Sequence, residues 1–452
     1  MPTLAALTPS DIEVILTDEN VEPIDFDEKI DLVGITGMTC LIPRSYEIAD
    51  EFRKRGVPVV LGGIHVSMLP EEAAQHCDSV VIGEAEDIWE KVLIDARLGK
   101  LQKFYKAPKF PDLTKSPVPR WDLLKNDKYC YFTIQSGRGC PYDCEFCSVK
   151  VFNGREYRHK NVEKVIDEIK ILQNIDNHKL IFFTDDNLLS IPHYAETLVQ
   201  GLIPLKIKTW MCQSSMNRLN DEKLLKLMYA AGCKVIFIGF ESVSQTSIET
   251  INKNMVNNPA TYAQIIQKVH AEKISIFGSF IFGTDSDKES IFEDTAKFIE
   301  TNGIAFSMLN IMTLLPGTRL FERLKNENRI LNFKWWQSNA DWACFKPKLM
   351  TKETLEAQHK KTLEKIYSYP AMYKRLSKLW NNGIFVREDK TSRFTKTRIF
   401  FTFLSLVSLN LKKTAFLLRS LWYKKCTSIM WVMTAMNYHN YANNLKNDTR
   451  DL

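Results

Sequence analysis

Three cysteines stand at a C-x3-C-x2-C spacing, Cys140, Cys144 and Cys147, inside the run Gly137-Arg138-Gly139-Cys140-Pro141-Tyr142-Asp143-Cys144-Glu145-Phe146-Cys147. Thiolates are soft ligands suited to iron–sulfur clusters or zinc. Gly137, Gly139 and Pro141 break regular structure, so a loop after the extended run 131–136 can turn three sulfurs toward one point. The next cysteine in the chain is Cys212. A cubane iron–sulfur cluster normally takes four protein anchors. Three would leave one iron open to a ligand that is not protein. A structural zinc site is the alternative; it needs a fourth ligand, and His159 is the nearest histidine.

This spacing, with Phe146 just before the last cysteine, resembles the cluster loop of the radical S-adenosylmethionine (SAM) enzymes. The resemblance implies a [4Fe-4S] cluster on Cys140, Cys144 and Cys147, with SAM chelating the open iron through its amino and carboxylate groups. It implies one-electron cleavage of the sulfonium to a 5′-deoxyadenosyl radical, fed by an external electron donor such as flavodoxin or ferredoxin. In such a system the protein binds, orients and excludes water, while the cofactor carries the chemistry.

The elements that must hold this loop follow it in order. Residues 131–136, 179–187, 208–215, 235–242, 274–283 and 305–314 read as strands, and helical patterns fall between them, at 162–172, 193–202, 221–231, 259–271 and 290–302. Six βα units suit an open partial barrel, with chemistry at the carboxyl ends of the strands. Polar residues collect at those ends. Gly239-Phe240-Glu241 resembles the family's strand-four segment whose carboxylate holds the ribose hydroxyls of SAM. The resemblance also gives SAM-binding roles to Phe146, Ser214 and Ser279. Asp185 and Asp186 have three readings: binding the methionine ammonium, coordinating substrate, or capping a helix. Cys212 and Cys233 read as buried core residues.

Before the cluster loop, the chain alternates apolar runs (12–17, 32–36, 57–61, 80–82) with helical patterns at 43–55, 70–76 and 84–98. Nearly continuous apolar strands belong to a parallel sheet buried on both faces, so a doubly wound α/β module is expected here. Its strand ends carry Gly37, Met38 and Thr39, then Gly62, Gly63 and His65, then Gly83 and Glu84. Ligands gather at such ends, although these glycines also suit tight βα turns. The phrases Leu32-Val-Gly-Ile-Thr-Gly-Met-Thr39, Val59-Val-Leu-Gly-Gly-Ile-His65 and Val81-Ile-Gly-Glu-Ala-Glu86 resemble the cobalamin-binding domain that precedes many radical SAM enzymes. That resemblance makes those eight residues candidate cobalamin contacts. The family normally opens with one further strand, so either the true start lies upstream of Met1 or the domain lacks its first strand. The D-x-H-x-x-G signature that offers histidine to cobalt is absent, and His65 has a rival reading as a satisfied loop histidine. Pro108, Pro111, Pro117 and Pro119 mark 99–130 as a linker.

Composition is that of an ordinary globular chain, and ten cysteines in 452 residues are too few and too irregular for a secreted disulfide framework. A reducing cytoplasm is expected. The net charge of +6 belongs to the tail: residues 387–452 hold twelve Lys and Arg against four Asp and Glu. No nucleic-acid module accompanies that charge, so no nucleic-acid partner is expected. The apolar run 399–411 is thirteen residues long, too short for the roughly twenty that span a bilayer. Basic and aromatic residues interleave after it. One reading of 394–436 is therefore a helix lying peripherally on the inner membrane face; the other is a helical pair docked on the protein's own core. The aromatic group Phe333, Trp335, Trp336 and Trp342 has the same two options, a pocket wall or simple packing.

Together these readings predict an α/β protein in three parts: a cobalamin-binding-like Rossmann domain (1–115), a partial (βα)6 radical SAM barrel (116–330) and a basic helical region (331–452). The layout is similar to the hopanoid 2-methylase branch of the family. It implies cobalamin-dependent methyl transfer to an unactivated carbon of a small-molecule or lipid substrate. Two rivals stay open at this point. One is a radical SAM oxidoreductase or cyclase without cobalamin; the other is a non-catalytic zinc-binding interaction protein.

Overall fold

The computed structural model describes residues 1–384. The expectations for the tail, including 394–436 and 399–411, lie outside the described residues. Two compact units divide the chain. The first holds Met1–Ser214, Ile251–Lys253 and Met312–Lys346; the second holds Ser215–Thr250, Asn254–Ile311 and the described residues from Pro347 onward.

The first unit opens with a parallel sheet of four strands in sequential order, β1 (Val33–Thr36), β2 (Val59–Gly62), β3 (Ser79–Ile82) and β4 (Phe104–Lys106). Its apolar residues alternate between two cores. Val59, Leu61 and Val80 pack with Ile42, Phe52 and Val66, while Val60 and Val81 pack with Val92 and Tyr105. Helices cover both faces, which is why the strands read as unbroken apolar runs.

Two details differ from the sequence reading. Residues 12–17 form no strand; they join no sheet, and Ile15 is exposed. Their alternation satisfied the pattern of a strand, but a strand also needs a neighbour to accept its backbone hydrogen bonds. Conversely, the stretch read as a linker contributes β4. Tyr105 is buried there, and its hydroxyl donates to Asp95 at 2.7 Å.

The first unit continues with β5 (Tyr131–Ile134), the two-residue hairpin-like pair β6 (Gly137–Arg138) and β7 (Arg158–His159), β8 (Leu180–Phe183) and β9 (Trp210–Ser214). Strands β5, β8 and β9 pair in parallel, and β6 pairs antiparallel with β7. The second unit carries β10 (Cys233–Glu241), β11 (Ser275–Phe282) and β12 (Phe306–Ile311), again parallel. The hydrogen-bonded order is β9-β8-β5 in the first unit and β12-β11-β10 in the second, six parallel strands as expected.

The second unit is built on aromatic packing. Phe240 stacks on Phe280 with centroids 5.2 Å apart, and Tyr262 and Phe298 meet Phe240 edge-on. Gly278 makes this possible, since a Cβ there would stand about 3.1–3.2 Å from both stacked rings. Thr351 caps the helix Lys352–Ile366, its hydroxyl accepting from the Thr354 amide. A further helix, Tyr369–Asn381, follows it.

Candidate active site

The cluster loop leaves β6 through Gly139, which has φ +97°; a Cβ there would lie 2.2 Å from the Glu156 carbonyl. No other residue could bring the chain so close to its neighbour. The Cys140 amide then donates to Gly154 O at 3.3 Å, and the Cys147 amide to Cys144 O at 3.2 Å. Glu145 anchors the middle. Its amide donates to Ile251 O, its carbonyl accepts from the Leu320 amide, and its carboxylate takes two bonds from Arg323, at 2.6 and 3.0 Å. Asn252 and Arg319 both donate to the Asp143 carbonyl at 2.6 Å. These bonds explain why two segments distant in sequence, 251–253 and 312–346, belong to the first unit.

Asp185 and Asp186 lie at the end of β8 and brace this loop. Asp185 is fully buried; its oxygens accept from the Ser136 amide (3.0 Å), the Ser136 hydroxyl (2.6 Å) and the Tyr157 hydroxyl (2.7 Å). Burial pushes its carboxyl upward in pKa, and these donors oppose the shift. Asp186 accepts from the Gly139 amide at 2.9 Å, and burial raises it too.

Cys147 senses the other two thiols. Burial first, then the neighbouring Cys144 and Cys140, pushes the Cys147 thiol up to about 12. Burial also raises Cys140, opposed in part by an Asn187 hydrogen bond and the nearby Lys253 ammonium. Lys253 stands 5.9 Å from the ring centroid of Phe146. Thiols with raised pKa values need a cation to ionise, and iron supplies that charge. Among the described residues, no three His, Cys, Asp or Glu side chains gather as they would around a single ion. A cubane does not ask for that, because it spreads its thiolates over separate irons. The residues fit the cluster. His159 does not supply a zinc ligand here: its ring stacks on Tyr194 at 3.9 Å and its Nδ1 faces the Lys160 carbonyl.

The strand ends of the first sheet form the other approach. Gly63 has φ +100°, and a Cβ there would meet the Thr36 hydroxyl at 2.5 Å. A Cβ on Gly37 would meet Ser45 Oγ, also at 2.5 Å. Both glycines are thus demanded by the turns themselves. Ser67 ties two of these loops together, donating to Gly63 O and accepting from the Gly83 amide. Thr39 is buried, and Gly62 closes β2. His65 is wholly buried, with Nε2 3.2 Å from Glu72 and its ring edge-on to Trp335. Met38 and Leu41, in contrast, are 66% and 50% exposed. Large apolar side chains held open beside a sheet's carboxyl ends suit a bulky ring such as a corrin, so the residues fit cobalamin there. Glu84 is buried and ion-paired with Arg138 and Arg158.

In the first unit Ser214 is buried at the end of β9. In the second unit Glu241 closes β10 at a bulge in its pairing with β11, and its φ is +59°. Asn257 donates to the carbonyls of Gly239 and Phe240, both at 2.8 Å, and Tyr262 donates to Phe240 O at 3.0 Å. These three bonds hold a buried carboxylate residue in the left-handed region, which costs energy and tends to occur at functional sites. Ser279 stands across from Gly239 on β11, and its hydroxyl accepts from Asn310 at 3.1 Å.

The sequence reading missed Lys253, Asn187, Tyr157, Asn257, Arg138 and Glu86. Each acts on a partner far away in the chain, and only Asn187, beside the acidic pair, carried a local cue.

Comparison with known proteins supplies the family. Models of the radical SAM superfamily and of the B12 binding domain match residues 134–299 and 3–93, and a domain of unknown function (DUF4070) matches 318–439. The chain is 32% identical over 403 residues to bacteriochlorophyllide d C-12(1)-methyltransferase of Chlorobaculum tepidum, covering 87% of each protein. It is 27% identical to the hopanoid C-2 methylase of Rhodopseudomonas palustris, over 82% of this chain and 71% of that one. Its fold is similar to that of the radical SAM methyltransferase TsrM from Kitasatospora setae, solved with cobalamin and a [4Fe-4S] cluster bound. That match has a TM-score of 0.60 at 15% identity, over 93% of this chain and 90% of the other. The cofactors are therefore SAM, a [4Fe-4S] cluster and cobalamin, and the chain belongs to the B12-dependent radical SAM methyltransferases.

Proposed function

We propose that this protein methylates an unactivated carbon of a large, mainly apolar ring compound, either a free small molecule or a lipid. The observation that carries the reading is the cluster loop, its three cysteines at C-x3-C-x2-C spacing on a segment braced by Asp186, Asn252 and Arg323. When bound, the cluster supplies the electron that splits the sulfonium, and cobalamin carries the methyl group. The chain's own residues then bind, orient and exclude water. Glu241 is the candidate holder of the ribose hydroxyls, a carboxylate accepting two donors. Cys140, Cys144 and Cys147 hold the cluster.

Two considerations support the substrate class. The relatives' names specify a bacteriochlorophyllide and a hopanoid, both built on large ring systems. This chain also exposes Met38, Leu41 and Trp336, with Trp336 edge-on to Trp342 at 6.1 Å. We read flavodoxin or ferredoxin as the electron source and the cytoplasm as the location. Among the described residues, no helix is long and apolar enough to cross a membrane.

The test is anaerobic reconstitution with cobalamin and SAM deuterated at the methyl group, with tetrapyrrole and polycyclic-lipid substrates offered in turn. The expected result is 5′-deoxyadenosine together with a product heavier by the labelled methyl. Steady formation of 5′-deoxyadenosine with an unlabelled, oxidised or cyclised product would overturn methylation.

A further inference from the structure

We propose that Glu84 and Glu86 are positioning residues for the cluster, acting on Cys140 through Arg138. Arg138 lies two residues before Cys140, on β6. Its Nη1 contacts Glu84 Oε2 and Glu86 Oε1, each at 2.6 Å, and its Nε donates to Gln135 at 2.7 Å. Directly across the ladder on β7 stands Arg158, which also bonds Glu84 and donates to the carbonyls of Pro111 (3.1 Å) and Asn153 (3.0 Å). The four side chains are each 15% exposed or less. Two guanidiniums and two carboxylates thus meet in a site with little water, where the Met1 ammonium and Asp186 also sense their charge.

The geometry makes this cluster decisive for the loop. The β6–β7 ladder is only two residue pairs long, and so short a ladder has little stability of its own. What sets its place is Glu84, which grips both arginines, together with Glu86, which grips Arg138, in charge-assisted, directional bonds. Gly139 then carries that placement one residue on to Cys140, held by Asp186 and the crowded Glu156 carbonyl. Both carboxylates come from the loop after β3, beside Gly83. The end of the first sheet and the first thiolate are therefore tied through one guanidinium. Loss of either carboxylate leaves the arginine partly unpaired, and it will move to find solvent or another partner. Cys140 moves with it.

The experiment uses the full chain, anaerobically reconstituted, as wild type, Glu84→Gln, Glu84→Asp and Glu86→Gln. Four quantities are read: iron and sulfide per chain, melting temperature, the electron paramagnetic resonance (EPR) signal of the reduced cluster with and without SAM, and kcat and KM for SAM cleavage. The expected result is that Glu84→Gln still assembles a cluster but cleaves SAM about 100-fold more slowly per cluster, the scale of a misplacement near 1 Å. Its SAM-dependent EPR signal should change, and Glu84→Asp should recover part of both. Glu86→Gln should show a smaller loss, about tenfold by the same argument. If the carboxylates only staple the fold, melting temperature and iron content fall together while kcat per cluster and the EPR signal stay at wild-type values. That outcome overturns the proposal, and should Glu84→Gln fail to fold, the same outcome for Glu86→Gln overturns it. The readout is cleavage of SAM, so the result stands apart from whether methyl transfer to a ring compound is found.

Discussion

The two units solve the same problem, holding a parallel sheet's carboxyl ends in place, with opposite materials. The first uses buried charge: Asp185 and Asp186 under the cluster loop, Glu84 and Glu86 on two arginines, and Lys160 on Glu168 at 2.6 Å. The second uses rings and neutral polar groups: the Phe240–Phe280 stack, Asn257 and Tyr262 on the β10 end, and His359 Nε2 donating to the Leu309 carbonyl at 2.8 Å. Charges are directional and costly to leave unpaired, so they locate a loop closely. Aromatic packing tolerates small shifts but resists loss of volume. The unit that anchors a cluster needs the first property.

This contrast can be broken or sharpened in order of effect. Cys140→Ala, Cys144→Ala or Cys147→Ala should reduce formation of 5′-deoxyadenosine to background, because two thiolates do not hold the cubane; chromatography of the anaerobic reaction checks it. Phe240→Ala should cost about 3–5 kcal/mol in denaturant unfolding, the range for emptying a buried aromatic site. A loss below about 1 kcal/mol, the scale of a conservative swap, would show that the stack is not what holds the second unit.

Acid should find the second unit through its histidines. Burial holds His270 down at about 4, with the Lys378 charge adding to it, and burial likewise holds His359 at about 4. The unfolded chain protonates them near 6.5, so their stability is fully present above that pH. It is lost as pH falls from about 6.5 toward 4, by up to about 3 kcal/mol for each. Unfolding curves across that window should flatten for His270→Gln and His359→Gln. Asp185→Asn comes next, since its new amide must face one of three donors; a loss of about 1–3 kcal/mol is expected, with reduced iron loading. Removing the exposed Arg44–Glu19 pair should change stability by no more than about 1 kcal/mol, as surface pairs do.

Much of this arrangement was legible in the residues. The six βα units emerged from apolar runs and helical periodicity, because each strand's burial is written locally. The cluster loop emerged from cysteine spacing, and Glu241 from a resemblance that the strained backbone at φ +59° now gives a physical setting. Residues 12–17 and 104–106 misled for one shared reason: pairing decides what is a strand, and pairing is not local. The link among Arg138, Glu84 and Glu86 was hidden more deeply. Glu84 stood out only as a candidate cobalamin contact, and only the fold places it with Arg138 and Glu86 out of water.

The account rests on an iron left open by a three-thiol loop, and EPR of the reduced, reconstituted cluster tests that most directly. Adding SAM should shift the signal in the wild-type protein, and the shift should vanish when any one of the three cysteines is replaced. A cluster signal that is identical with and without saturating SAM would contradict the account.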